Sequence, residues 1–455
     1  DDWLDSDAFA ERVVRFHRDL LWNNVTNVNL SFTRASMRRT YEGPGDYTYW
    51  VQARAIGYRG DNLGCLNEPA TFDANGTVQT TLFTAADGDV SYREGYVMVE
   101  PFWAPGTLLK VCALDAQPAA VSPNGTACHT REGTADVGCG CGDELKWCKY
   151  GSVNRDVTAG MARDIELRIA QIIKEDRPYT ELFTGTTGFV NGPMVHHLKH
   201  RATFHANFRL EPLSVDLADL PDLDPTDTET FVEVDMGSAH AGILTSWAFL
   251  ARFQTNRARA NRFYTNFMCQ PFSPPQGGIP INEEEALVPD LQKRGGCKYC
   301  HSLLEPSASF WGRWTEGGAG FLAPAEFPAS SDECYTCATI GQQCSTMCNT
   351  FYLTKMTSLE QAPYLGKLLA YEFRRPEHEI NVEVGPKVLA LTATVDHRMP
   401  TCVAYKTANW LLGRPLGPQE GAWLDTLALE FVTGDYSYRD LVKAIVTSDV
   451  YRRVR

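Results

Sequence analysis

Near the start of the chain, apolar residues recur at helical spacing. Trp3, Leu4, Phe9, Val13, Phe16 and Leu20 fall on one stripe, so residues 3–22 are expected to form an amphipathic helix. From about 43 to 127 the pattern changes. Tyr47–Val51, Val78–Phe83, Tyr92–Val99 and Leu108–Cys112 are rich in β-branched and aromatic residues. Asp73-Ala74-Asn75-Gly76 and Asp87-Gly88-Asp89 punctuate them, as turns do between strands. The Asp/Asn/Gly stretches lack the ligand spacing of a calcium loop. Helical periodicity returns at 156–176 (Val157, Met161, Ile165, Ile169, Ile172, Ile173) and continues to about 210. Residues 211–230 carry Asp216, Asp219, Asp222, Asp224 and Asp227 around prolines, the composition of an exposed connection. Two helices are expected over 240–269, a proline-rich bend at 271–275, and a short helix at 282–294. Further helices are expected at about 359–370, 385–395, 400–412 and, with breaks, 418–450. The pattern predicts a mainly α protein with a small antiparallel β insertion. Its segments are 1–42 (helical), 43–150 (β-rich), 151–235 (helical, with the acidic connection), 236–330 (helical) and 331–455 (helical, with a cysteine-rich loop).

Composition narrows the setting. With 44% hydrophobic and 22% charged residues, the 455-residue chain has the makeup of an ordinary globular protein. A net charge of −14 disfavours nucleic acid or an anionic membrane as main partner, since both reward basic surfaces. No apolar run is long enough to span a bilayer. The chain opens on Asp1-Asp2-Trp3 without a methionine, which suggests a processed chain. Fourteen cysteines are more telling. Six precede residue 150, and eight follow residue 260. Setting Cys297 and Cys300 aside leaves even numbers in both halves, so each half can pair within itself. That points to an oxidising compartment, periplasmic or extracellular. Residues 128–148, with Cys139-Gly140-Cys141, read as a disulfide-tied loop. Cys334, Cys337, Cys344 and Cys348 are expected to bond among themselves, leaving Cys269 for Cys402.

Cys297-Lys298-Tyr299-Cys300-His301 carries the chemistry. Covalent c-type haem needs two thiols to add across the porphyrin vinyl groups and an imidazole for the iron. Cys-x-x-Cys-His on one helical turn supplies all three. Two other readings stand beside it. Cys297 and Cys300 would serve as a redox dithiol if they followed a strand in a βαβ unit. They would serve as half of a four-thiolate zinc site if Cys334-x-x-Cys337 supplied the rest. Phe310, Trp311 and Trp314 offer aromatic bulk for a haem pocket, and Pro306 is expected to end the motif's helix. The distal side decides between electron transfer and ligand chemistry. Its candidates are His240, favoured because its segment runs into the motif, and Met347, Met356 and Met399. His196, His197, His200 and His205 form a second cluster, with His196 and His200 spaced for one helical face and a metal. Arginines 257, 259 and 262 are expected either to pair with haem propionates or to make salt bridges.

Several stretches, taken in order, resemble the planctomycete-type cytochrome c family of exported proteins. They are Phe9–Trp22, Arg177–Leu182 with Val190–Pro193, His240–Asn261, Cys297–Pro306, Trp410–Arg414 and Tyr436–Arg452. The resemblance implies export and one covalent haem at Cys297, Cys300 and His301; it supplies no reaction. The expected function is extracytoplasmic electron transfer to or from a partner protein or a larger surface complex. A haem-dependent oxidoreductase or peroxidase, or a structural part of a surface assembly, stands as the alternative.

Overall fold

The computed structural model describes residues 2–25, 30, 35–52, 58–59, 63–84, 88, 90–202, 216–272, 287–341, 343–371, 375 and 378–453. His205, most of the 271–275 bend, Asp87 and Asp89, and the 282–286 part of the expected helix lie outside them.

Helix α1 (Asp7–Leu21) starts where the Ser6 side chain accepts the Phe9 N–H, and stops at Trp22 in a left-handed conformation. Its buried face, Phe9, Val13, Val14 and Leu21, packs on α2 (Val153–Lys174) through Val157, Met161, Ile165 and Ile169. These two helices meet across 131 intervening residues, and the β-rich part is therefore an insertion between them. Its two ends run side by side, with Met37 N–H donating to Lys149 O at 2.9 Å and Lys149 N–H to Ala35 O at 3.1 Å.

Within the insertion, β1 (Met37–Gly43), β2 (Asp46–Val51), β5 (Tyr96–Val99) and β6 (Leu109–Cys112) form one sheet in the order β1-β2-β6-β5. A separate hairpin joins β3 (Thr81–Thr84) to β4 (Val90–Arg93). The expected antiparallel insertion is thus present, with one departure: β2 and β6 pair in parallel. The module's apolar cores are small. Three disulfides, Cys65–Cys112, Cys128–Cys139 and Cys141–Cys148, compensate. Arg59 sits fully buried between Glu94 and Asp115, and Asp115 also accepts the Val51 N–H at 2.9 Å.

The helical body has one main core, which runs from Phe9 to Ile445 and draws on every helical segment delimited in the sequence. It comprises α1, α2, α3 (Glu181–Thr184), α4 (Gly192–His200), α5 (Trp247–Arg252), α6 (Asn256–Phe267), α7 (Lys298–Ala308), α10 (Glu379–Val395), α11 (Arg398–Leu412), α12 (Gly421–Thr433) and α13 (Tyr438–Thr447). A short ladder pairs β7 (Thr187–Val190) with β8 (Val232–Asp235). Residues 359–364 and 369–371 are 3-10 turns where one helix was expected, and α10 is broken at Gly385, whose φ is +71°. A satellite lobe around Leu322, Tyr352, Leu368 and Val382 holds α8 (Asp332–Ile340) and α9 (Thr346–Phe351). Cys334–Cys348 and Cys337–Cys344 tie it locally, and Cys269–Cys402 joins the end of α6 to α11, the pairing read from the sequence. No helix among the described residues is long and apolar enough to cross a membrane.

Candidate functional site

The site grows from the start of α7. Residues 287–296 are turns rather than the expected helix. Arg294 donates to Val288 O at 2.6 Å, and Gly296, at φ +77°, supplies the left-handed step that lets the chain swing into the helix. Cys297 caps α7, and the His301 N–H closes the first helical bond on Cys297 O at 3.0 Å. Residues i, i+3 and i+4 share a helix face, so Cys297, Cys300 and His301 present together. Both cysteines are unpaired and half-buried. Pro306 does not end the helix, which continues to Ala308. Its ring lies in a later turn and removes one backbone donor.

The His301 ring is held from below. Its Nδ1–H donates to Glu305 Oε1 at 2.7 Å, one turn further along. Glu305 is only 2% exposed, and Arg257 of α6 donates through Nε to the same carboxylate oxygen. Fixing Nδ1 as the donor leaves the Nε2 lone pair as the ring's coordinating atom. Glu305 was missed in the sequence, although its i,i+4 spacing from His301 signals such a pair. Arg257 reaches the motif from another helix, across 48 residues.

The remaining expected site residues are placed otherwise. His240 is fully buried, with Arg168 Nη1 donating to its Nε2 at 2.9 Å and Thr245 Oγ1 2.8 Å from its Nδ1. Burial, reinforced by Arg168, holds its pKa well below the usual value. Its one lone pair thus accepts from Arg168. Met399 is buried in the main core, and Met347 and Met356 are exposed in and beside the satellite lobe. Trp311 and Trp314 belong to the core, where the Trp311 indole donates to Leu244 O at 2.8 Å; they are not free to line a pocket. Arg259 is wholly buried and donates to the carbonyls of Phe253, Thr315 and Gly318, a clamp on the chain turns rather than a surface cation. Burial lowers its pKa to about 9. Arg262 lies 4.0 Å from the Trp22 ring centroid. His196 and His200 face each other with ring centroids 5.0 Å apart.

These placements bear on the competing chemistries. The four-thiolate zinc reading loses its second pair, because Cys334 and Cys337 are consumed in disulfides. The redox-dithiol reading loses its strand, because turns precede Cys297. Among the described residues no three His, Cys, Asp or Glu side chains gather to hold a metal ion. A haem iron needs no such gathering, since the porphyrin supplies four nitrogens and the protein one or two ligands. Two unpaired thiols and an imidazole with a free Nε2 fit that group's requirements.

Comparison of the chain with family models, with curated proteins and with solved structures finds no match.

Proposed function

We propose that the chain is an exported monohaem c-type cytochrome-like protein that exchanges single electrons with a partner protein outside the cytoplasm. One observation carries this reading. Twelve of the fourteen cysteines pair, and the two left over stand one helical turn apart beside a histidine whose Nδ1 is already engaged. The six disulfides fit an oxidising compartment, the setting in which haem attachment to thiols also takes place. The sequence stretches that resemble the planctomycete-type cytochrome c family support the same reading.

Cys297 and Cys300 would hold the porphyrin through thioether bonds, and His301 would supply its Nε2 to the iron. The bound haem supplies a one-electron iron couple. Glu305 fixes the tautomer and orientation of His301, and its negative charge raises the basicity of the ring. Arg257 offsets part of that charge. The helix carrying the motif is anchored to the main core by Leu304 and Ala308, which limits movement of the ligand between oxidation states.

A second reading, a haem-dependent oxidoreductase, draws on the same Glu305–His301 pair, because a carboxylate on Nδ1 favours the more positively charged oxidised iron. The spectrum separates them. A low-spin haem in both oxidation states supports the carrier. A high-spin ferrous haem that binds carbon monoxide supports the oxidoreductase. The absence of a pyridine haemochrome sinks both.

A further inference from the structure

Where the β insertion meets the helical body lies a cleft of ≈ 350 Å³, remote in sequence from the Cys-x-x-Cys-His motif. The insertion contributes Phe102, Trp103 and Tyr150, while α2 contributes Asp156, α4 contributes His196, and the loop before β8 contributes Thr226 and Thr228. Its chemistry is mixed in a specific way. Three aromatic rings supply apolar faces. Ser152 and the two threonines supply hydroxyls, and Asp156 supplies the one carboxylate in a lining without lysine or arginine.

Each polar group is held in place. The Ser152 hydroxyl donates to Asp156 Oδ2 at 2.9 Å, and Thr226 Oγ1 donates to Asp224 at 2.7 Å, so the hydroxyl oxygens remain as acceptors. His196 stacks on Phe102 with ring centroids 3.7 Å apart and planes 22° off parallel. Its Nε2 is buried without a protein hydrogen-bond partner. Burial lowers the His196 pKa to about 3, so the ring is neutral at physiological pH.

These features eliminate most ligand classes. An anion would meet the Asp156 carboxylate, with no lysine or arginine among the lining residues to balance it. A divalent metal ion would find a single carboxylate among neutral hydroxyls, too little negative charge for the hard cations that take oxygen ligands. A wholly apolar molecule would desolvate the carboxylate and hydroxyls without repaying them. A neutral polyol with one apolar face meets every demand. Its C–H face lies on aromatic rings, while its hydroxyls donate to Asp156 and the threonines. The volume and the position at a seam between structural units are those of a small-ligand site. We propose that this cleft binds the sugar ring of a neutral mono- or disaccharide.

The test is isothermal titration of the full chain with glucose, N-acetylglucosamine, maltose and cellobiose, and with glucuronate and inorganic phosphate as charged arms. Saturable one-to-one binding of at least one neutral sugar is expected. It should weaken at least tenfold in Trp103→Ala and in Asp156→Asn, with thermal melts confirming that each variant folds. Asp156→Asn keeps the side-chain shape, so it decides the matter if Trp103→Ala fails to fold. The proposal is overturned if no neutral sugar of the panel binds, if the variants bind unchanged, or if glucuronate or phosphate binds more tightly than every neutral sugar.

Discussion

Replacing Glu305 by Gln tests the least visible part of the proposed haem site. The substitution keeps the side-chain shape and an acceptor for His301 Nδ1–H, and removes only the charge. In the native chain that proton is donated over 2.7 Å to a carboxylate 2% exposed. Hydrogen bonds to charged groups contribute about 1.5–3 kcal/mol, against about 0.5–1.5 for neutral ones, so the exchange weakens the hold on the ring by roughly 1 kcal/mol. The oxidised iron is the more positive state, so losing the carboxylate favours reduction. For a one-electron couple about 1.4 kcal/mol corresponds to about 59 mV, which caps the upward shift in midpoint potential near ~40 mV. Arg257→Gln should act in the opposite sense, because it removes the cation that offsets Glu305. Arg257 is 43% exposed and screened by solvent, so its downward shift should be roughly half as large. Spectroelectrochemical titration of the intact haem-loaded chain reads both, with melting curves to confirm folding. A purely structural pair would not move the potential in opposite directions. No shift in Glu305→Gln, or shifts of the same sign in both variants, refutes the reasoning.

Three other outcomes follow from the fold. Arg59→Met strands Glu94 and Asp115 as buried, uncompensated carboxylates, and should cost the β insertion about 3–5 kcal/mol in chemical denaturation. Removing Cys269–Cys402, with a sequence separation of 133, should destabilise the unreduced protein by about 5 kcal/mol. Removing Cys337–Cys344, with a separation of 7, should cost about 2, as loop-closure entropy dictates; equal losses in a denaturation series would contradict this. Burial holds the His17 pKa down at about 4, below the 6.5 it has when unfolded. The unfolded chain therefore gains a proton between those values while the folded chain does not. The His17 contribution is intact above pH 6.5 and falls by about 3 kcal/mol as the pH drops toward 4. His17→Gln should flatten that part of a stability-versus-pH curve.

Local signals in the sequence carried far. The stripe of Phe9, Val13 and Leu20 and the isoleucines of 165–173 announced α1 and α2, because a 3.6-residue period depends only on neighbours. Cysteine parity set Cys297 and Cys300 apart and proximity pointed to Cys269–Cys402 and to a closed group of Cys334, Cys337, Cys344 and Cys348, while the connectivity inside that group and Cys65–Cys112 was not legible. What escaped was non-local. The parallel β2–β6 pairing joins residues about 60 apart, and nothing in either strand names its partner. His240 stood in sequence as one distal candidate among several, and its contact with Arg168 is invisible there because that arginine lies 72 residues away. Trp311 and Trp314 fit either a haem pocket or the core in sequence, which does not distinguish the two, and the fold places them in the core. Glu305 stood in plain view at i+4 from His301, whereas Arg257 became its partner only through the packing of α6 on α7.

The central claim rests on Cys297, Cys300 and His301, and covalent attachment is its most direct measure. The full chain should be exported to a periplasm equipped for c-type haem attachment, then denatured and examined by intact mass and pyridine haemochrome. The account predicts one haem that survives denaturation, twelve cysteines in disulfides, and loss of the haem in a Cys297→Ala, Cys300→Ala double variant. A chain that folds with its six disulfides, keeps two titratable thiols and carries no haem would contradict it.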